Sequence, residues 1–300
     1  MSLSRTRTGE LYVFFEAILW SLFPVLSRFS VQSFPPLFTA GLSTLISSLF
    51  FAGVLTFKKE WHELGVRAAW KDILLVTLYI GVVFYAILFI GLRYTTAGNA
   101  SIMALMEVFF SFSILGVFLR HEYVRLRQVI GAICMVGGAL LVLLPKTAGW
   151  HGGDILIALG TIFTPLGNRY AQRAREKVSS ECIMFVRSMV SGIVLLILSV
   201  FVEPLTTIQN IPSGMTLTVF LLNGFLVLGY SKLLWVEAVY LIPISKAISL
   251  ASIAPFFTFL FAYLLLGEQM SLWQMASLFP ILLGVYLLTR SSGDHIHSVV

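Results

Sequence analysis

Charge is scarce in this chain. Only 11% of its 300 residues are Asp, Glu, Lys or Arg, against 58% hydrophobic residues and a mean hydropathy of +0.93. So few polar side chains cannot cover a water-facing surface, which excludes a soluble globular protein and places the chain in a bilayer. Cysteine is nearly absent as well. Cys134 and Cys182 lie in or beside apolar runs without metal-ligand spacing and read as packing residues. No Gly-Lys-Ser/Thr phosphate loop, His-Glu-x2-His or Cys-x2-Cys occurs, and all five histidines fall in loops, the tail or span ends. These absences give no support to an enzyme and point to no metal and no cofactor. They also mean that any work the protein does draws on gradients rather than on bound ATP. The basic excess, +6, reports orientation in a membrane rather than affinity for nucleic acid.

What the chain has is apolar runs. A helix rising 1.5 Å per residue needs about 20 residues to cross about 30 Å of hydrocarbon. Ten runs qualify, at roughly 10–30, 35–57, 72–92, 97–119, 127–145, 152–171, 183–203, 216–238, 243–266 and 272–290. The connections are short, leaving no room for a soluble domain. Pro35, Pro36, Pro145 and Pro212 mark boundaries, where a missing N–H costs least. The polar N-terminus leads into a spanning run with no cleavage site and reads as a retained cytoplasmic start. The Asn99-Ala100-Ser101 sequon falls at a span start, where it would be buried and unglycosylated.

The runs contain a repeat. Residues 94–142 align with 240–288 at an offset of 146, without a gap and with nine identities in 49 positions. Among them Glu122 falls on Glu268, Gln128 on Gln274 and Gly138 on Gly284, so that each copy is two apolar runs joined by a Glu-x5-Gln turn. With the N-terminus inside, 14 of the 20 Lys and Arg lie on the cytoplasmic side, three outside and three within spans. The first copy's turn, RHEYVRLRQ, is basic and the second's, GEQMSLWQ, is not. Five helices per half is an odd number, so the halves face opposite sides of the membrane. The expected fold is an all-α integral membrane protein of ten transmembrane helices, two inverted five-helix repeats at 1–146 and 147–300. In such a build the substrate site lies near the midplane between the halves.

These features resemble the drug/metabolite transporter superfamily, specifically its EamA-type members: LxxE or LGE ends the fourth and ninth runs, a late Gly follows, Trp20-x3-Pro24 marks the first span, and the helices count five plus five. The resemblance covers about residues 10–290. It implies ten helices in the inner cell membrane, both termini in the cytoplasm, a central cavity, and movement of small metabolites, often amino acids or their relatives, commonly outward. One departure is that Pro255 precedes Glu268 by thirteen residues, whereas the first copy has Phe109 there.

Charges inside spans mark the candidate site, because a charge at bilayer centre costs several kcal/mol unless it faces protein or water. Glu107 lies about 15 Å into its span at the helical rise. Asn99, Met103, Glu107 and Ser111 form one i, i+4 row, a polar stripe aimed at the cavity. Glu107 can take a coupling proton or bind a substrate amine; the competing reading is a structural, hydrogen-bonded glutamate. Glu16 and Trp20 come next, with Pro24 a further turn on as a hinge; Pro165 repeats that hinge beside Asn168. Snorkelling is the rival role for Glu16. Lys246 is a candidate partner for a substrate carboxylate, or reaches the headgroups. Asn223, Tyr230 and Glu237 lie seven apart, so that Tyr230 is placed on a pathway-lining face. Lys232 and Arg187 are read as pairing near the cytoplasmic ends with Glu237 and Glu181. Glu122 and Glu268 are read as caps.

The expectation is a secondary transporter of small polar or amphipathic metabolites, alternating between two faces, with protons as coupling ions through Glu107. The alternative is a lipid-handling or assembly protein without a soluble substrate.

Overall fold

The computed structural model describes residues 5–114, 126–143, 152–203, 214–242 and 244–289. All regular structure among them is helical. Nine helices there are long and apolar enough to cross a membrane. They are α1 (Arg5–Ser33), α2 (Pro36–Lys58), α3 (Arg67–Arg93), α4 (Ala97–Ile114), α5 (Leu126–Leu143), α8 (Ser180–Val202), α9 (Gly214–Leu241), α10 (Lys246–Leu266) and α11 (Leu272–Thr289). The expected sixth span forms instead as two shorter pieces, α6 (Gly152–Gly160) and α7 (Phe163–Arg175). The cause is Pro165. Its ring collides with the carbonyl four residues back, on Thr161, and the helix breaks at Thr161–Ile162. The freed Thr161 carbonyl accepts the Thr164 hydroxyl at 2.7 Å. Pro255 likewise follows a break, at Ser252–Ile253 in α10. Pro24 leaves α1 continuous, and the Ser21 carbonyl near it accepts the Thr258 hydroxyl of α10 at 3.0 Å.

Helices in lipid gain little from burying apolar surface against one another, so small residues decide where they meet. The two most extensive pairings are α2 with α8 and α5 with α11. At α5–α11, a Cβ on Gly284 would sit 2.6 Å from the Gly131 carbonyl oxygen, and one on Gly138 would sit 2.9 Å from the Ser277 oxygen. Gly131 and Ser277 are 146 positions apart, as are Gly138 and Gly284, so each residue packs on the other's counterpart. At α2–α8, a Cβ on Gly41 would meet the Leu196 backbone at 2.9 Å and one on Gly192 the Leu45 backbone at 2.9 Å. In both pairings the numbers rise along one helix as they fall along the other. Equivalent helices that meet antiparallel are related by a two-fold axis perpendicular to them, which lies in the membrane plane. The repeats are therefore inverted.

Smaller features obey the same axis. α1 packs on α9 and α10, as α7 packs on α3 and α6 on α4. Both α3 and α9 contain a wide π-helical stretch, Thr77–Phe84 and Leu222–Ser231. The first, moved on by 146 positions, falls within the second.

Carboxylates lock the helix ends across the halves. Glu203, just past α8, accepts the Leu37 and Phe38 N–H groups at the start of α2 at 2.7 and 3.1 Å. Glu63, just past α2, accepts the N–H and hydroxyl of Ser179 at the start of α8 at 2.8 and 2.6 Å. Gly267 ends α10 with φ 67°, a left-handed turn that glycine adopts without strain. That turn delivers Glu268 to the start of α4, where it accepts the Ala97 N–H at 3.0 Å. Glu268 is thus a cap, on a helix of the opposite repeat rather than its own; Glu122 lies outside the described residues.

Candidate functional site

The sequence-derived residues separate into three places. At the face opposite the N-terminus, Asn99 is buried in a polar network. Its amide donates to Asp154 at 2.9 Å and its oxygen accepts from Gln274 at 2.6 Å, while Thr95 donates to the other Asp154 oxygen. Gln274 also closes a capping box with Ser271 at the start of α11. The Glu-x5-Gln turn therefore supplies both Glu268 and Gln274 to the first turn of α4. Asp154, 1% exposed, was not singled out in the sequence because it begins its helix and looks like an end residue.

At the N-terminal face, Lys246 pairs with Glu10 at 2.5 Å. Lys58 with Glu181 at 2.5 Å and Lys177 with Asp72 at 2.6 Å complete a ring of ion pairs there. Ser249 of α10 joins Thr289 of α11 at 2.7 Å. Tyr230 is 44% exposed and stands apart from both networks and from the interior cluster.

Between these faces lies a third group. Glu16, 2% exposed, is bound to Lys232 at 3.0 Å, and Ser231 donates to it at 3.4 Å. The Lys232 ammonium also sits 3.3 Å from the centroid of the Trp20 ring, a cation–π contact. Trp20 stacks on Phe23 at 4.6 Å, Phe23 touches Tyr85 at 6.3 Å, and the Arg187 guanidinium lies 6.0 Å from the Tyr85 ring. Glu107 is half-buried and accepts a hydrogen bond from Asn168 at 2.9 Å. The group thus draws one wall from α1, α3, α4, α7, α8 and α9. Measured along their helices, Glu16 and Lys232 lie about 14–16 Å from the N-terminal ends of the bundle, and Glu107 about 15 Å from the opposite ends. Pro24 is buried one turn past Trp20, and Pro165 is buried one turn before Arg169, beside Asn168.

Three expectations are corrected by this geometry. Lys232 takes Glu16 rather than Glu237, and Glu181 takes Lys58 rather than Arg187. The α4 stripe is interrupted at Leu105: Asn99 is buried in the end network and Met103 in the apolar core, while Glu107 turns to Asn168. Ser111 is half-buried beyond Glu107 on the same piece of helix. On α9 the π-helical turns shift the phase, so Asn223 is buried against Ser27 and Ser43 while Tyr230 is exposed.

A separate groove of about 400 Å³ runs between α10 and α11, lined by Phe256, Phe259, Met270, Met275, Phe279 and Tyr286 among others. It carries no charged side chain. Among the described residues, no group of three His, Cys, Asp or Glu is placed to hold a metal ion.

The chain matches the model of the EamA-like transporter family twice, over residues 7–144 and 151–290. It belongs to that family, and it is a multi-pass membrane protein of the transporter class. Among curated relatives, the Bacillus subtilis "Uncharacterized transporter YvbV" is 28% identical over 298 residues, covering 97% of this chain and 94% of the relative. A Methanothermobacter thermautotrophicus transporter is 25% identical, covering 93% and 85%. A solved crystal structure of a protein 17% identical superimposes with a TM-score of 0.67 over 97% of this chain and 99% of that one, a likeness of fold.

Proposed function

We propose that the protein is a secondary transporter that moves small, amino-acid-like amphipathic metabolites outward across the cell membrane, coupling them to protons through Glu107. The proposal includes ten crossings, with α6 and α7 together making the sixth, both termini in the cytoplasm, and halves dividing at 146/147.

One observation carries the reading: the Glu107–Asn168 hydrogen bond at 2.9 Å joins the first half to the second in the interior. Protonating that carboxylate removes the charge that strengthens this contact between the two bodies that have to move apart. A gradient of protons then biases which face opens. The aromatic wall of Trp20, Phe23 and Tyr85, flanked by charges, suits a solute with an apolar body and polar ends.

The test is flux in proteoliposomes with an imposed pH gradient. Glu107→Gln is expected to abolish proton-driven accumulation while leaving counterflow exchange and folding intact. Proton-driven accumulation at the parent rate in that variant would remove Glu107 from coupling. A lipid-handling role is favoured by the apolar groove between α10 and α11. Fluorescent-lipid translocation in the same vesicles, without solute flux, would establish that reading instead.

A further inference from the structure

Among the described residues, Arg187 is a buried interior cation with no anion beside it. Glu16 is bound to Lys232, Glu181 to Lys58 and Asp72 to Lys177, and Glu107 is held by Asn168. Arg187 is 8% exposed, and among the described residues no carboxylate lies within ion-pair distance of it. Its Nε is buried with no hydrogen-bond partner. Among the described residues the partner of its guanidinium is the Tyr85 ring, at 6.0 Å.

An arginine keeps its charge at any physiological pH, so it cannot escape the cost of burial by losing a proton. A buried charge without a partner destabilises a protein. The fold nevertheless makes room for it. A Cβ on Gly81 would lie 3.3 Å from the Arg187 Cγ and 2.7 Å from the Ser191 Cβ, so only glycine lets α3 and α8 approach at that level. Gly81 sits in the π-helical stretch of α3, four residues before Tyr85. The same wall continues through Phe23 to Trp20, which carries Lys232.

We propose that Arg187 receives the carboxylate of the transported molecule, whose apolar or aromatic body lies along Tyr85, Phe23 and Trp20. The planar guanidinium fork matches a carboxylate with two parallel hydrogen bonds, which a lysine ammonium cannot reproduce. Lys232, already bound to Glu16 and Trp20, is not free for that role. The substrate class is then an organic acid with an apolar body, free or as part of an amino acid. Simple amines, amides and neutral sugars lie outside it. The inference deepens the transport reading and rests on it.

The test is binding to the purified protein in nanodiscs, by calorimetry, with matched probes: L-phenylalanine, 3-phenylpropionate, L-phenylalaninamide and phenethylamine. The two carboxylates are expected to bind and the amide and amine to bind at least tenfold more weakly. Arg187→Lys should weaken the carboxylates roughly thirtyfold or more, as expected for loss of a buried charged pair. Arg187→Met should abolish their binding yet raise the melting temperature of the empty protein, because it removes an uncompensated charge. The inference is overturned by equal binding of acid and amide, by no binding of either acid, by unchanged carboxylate affinity in Arg187→Lys, or by an Arg187→Met protein that melts lower or fails to fold. Carboxylate binding through Arg187 with no flux in vesicles would overturn transport and leave the site standing. Arg187-independent flux of amines would do the reverse.

Discussion

Glu63 and Glu203 cap each other's repeat: Glu63 follows α2 and binds the start of α8 at Ser179, and Glu203 follows α8 and binds the start of α2 at Leu37. The helix N-terminus carries unsatisfied N–H groups and a partial positive charge, so an anion there stabilises it. Glu203→Ala and Glu63→Ala are each expected to lower unfolding stability by about 1–2 kcal/mol. The sites are at opposite faces of the bundle and should add in the double variant. Thermal unfolding in detergent checks both statements.

The Glu16–Lys232 pair should respond differently to one change than to two. Lys232→Met strands Glu16 as a buried carboxylate and should destabilise by about 3–5 kcal/mol, whereas adding Glu16→Gln should recover most of that loss. Chemical denaturation of the three proteins tests it, and a double variant no more stable than Lys232→Met would remove the pairing as the cause.

Gly137 and Gly138 make an internal control on α5. A Cβ on Gly137 meets nothing within 4 Å, but one on Gly138 would lie 2.4 Å from Ile281 Cγ1 and 2.9 Å from the Ser277 carbonyl oxygen. Gly138→Ala should cost about 1–3 kcal/mol through overpacking. Gly137→Ala should be neutral or mildly stabilising, alanine being the better helix former. Melting temperatures that move together would contradict the packing described.

Pro165→Ala returns an N–H to the Thr161 carbonyl and permits α6 and α7 to join. The expected outcome is a protein as stable as the parent, with flux reduced severalfold because the joined helix loses its bend point. Parent-level flux in vesicles would show that the break is not used in the cycle.

The bilayer class, the repeat and its inversion were legible because they rest on composition, an offset of 146 and the placement of basic residues. What escaped was everything that depends on which helix stands next to which. Lys232 and Arg187 sit close enough to run ends to look like headgroup residues, yet the aromatic wall of α1 and α3 draws both inward. The rows on α4 and α9 assumed 3.6 residues per turn throughout, which the turn at Leu105 and the wide turns at Leu222–Ser231 invalidate. Neither deviation follows from the spacing of polar residues along the run.

The cross-packing of Gly131 on Gly284 and Gly138 on Ser277 has a consequence for direction. A two-fold axis in the membrane plane makes a bundle and its upside-down image interchangeable, so the backbone alone would give the inward-open and outward-open forms of the proposed cycle equal free energy. Any preference between them has to come from side chains that the axis does not reproduce. Glu107 stands opposite Ile253 and Lys246 opposite Ala100 across the offset of 146. The resting preference between the two forms of the proposed cycle is therefore set by a handful of unmatched charges rather than by the architecture that carries them, while the direction of net flux is left to the gradients alone.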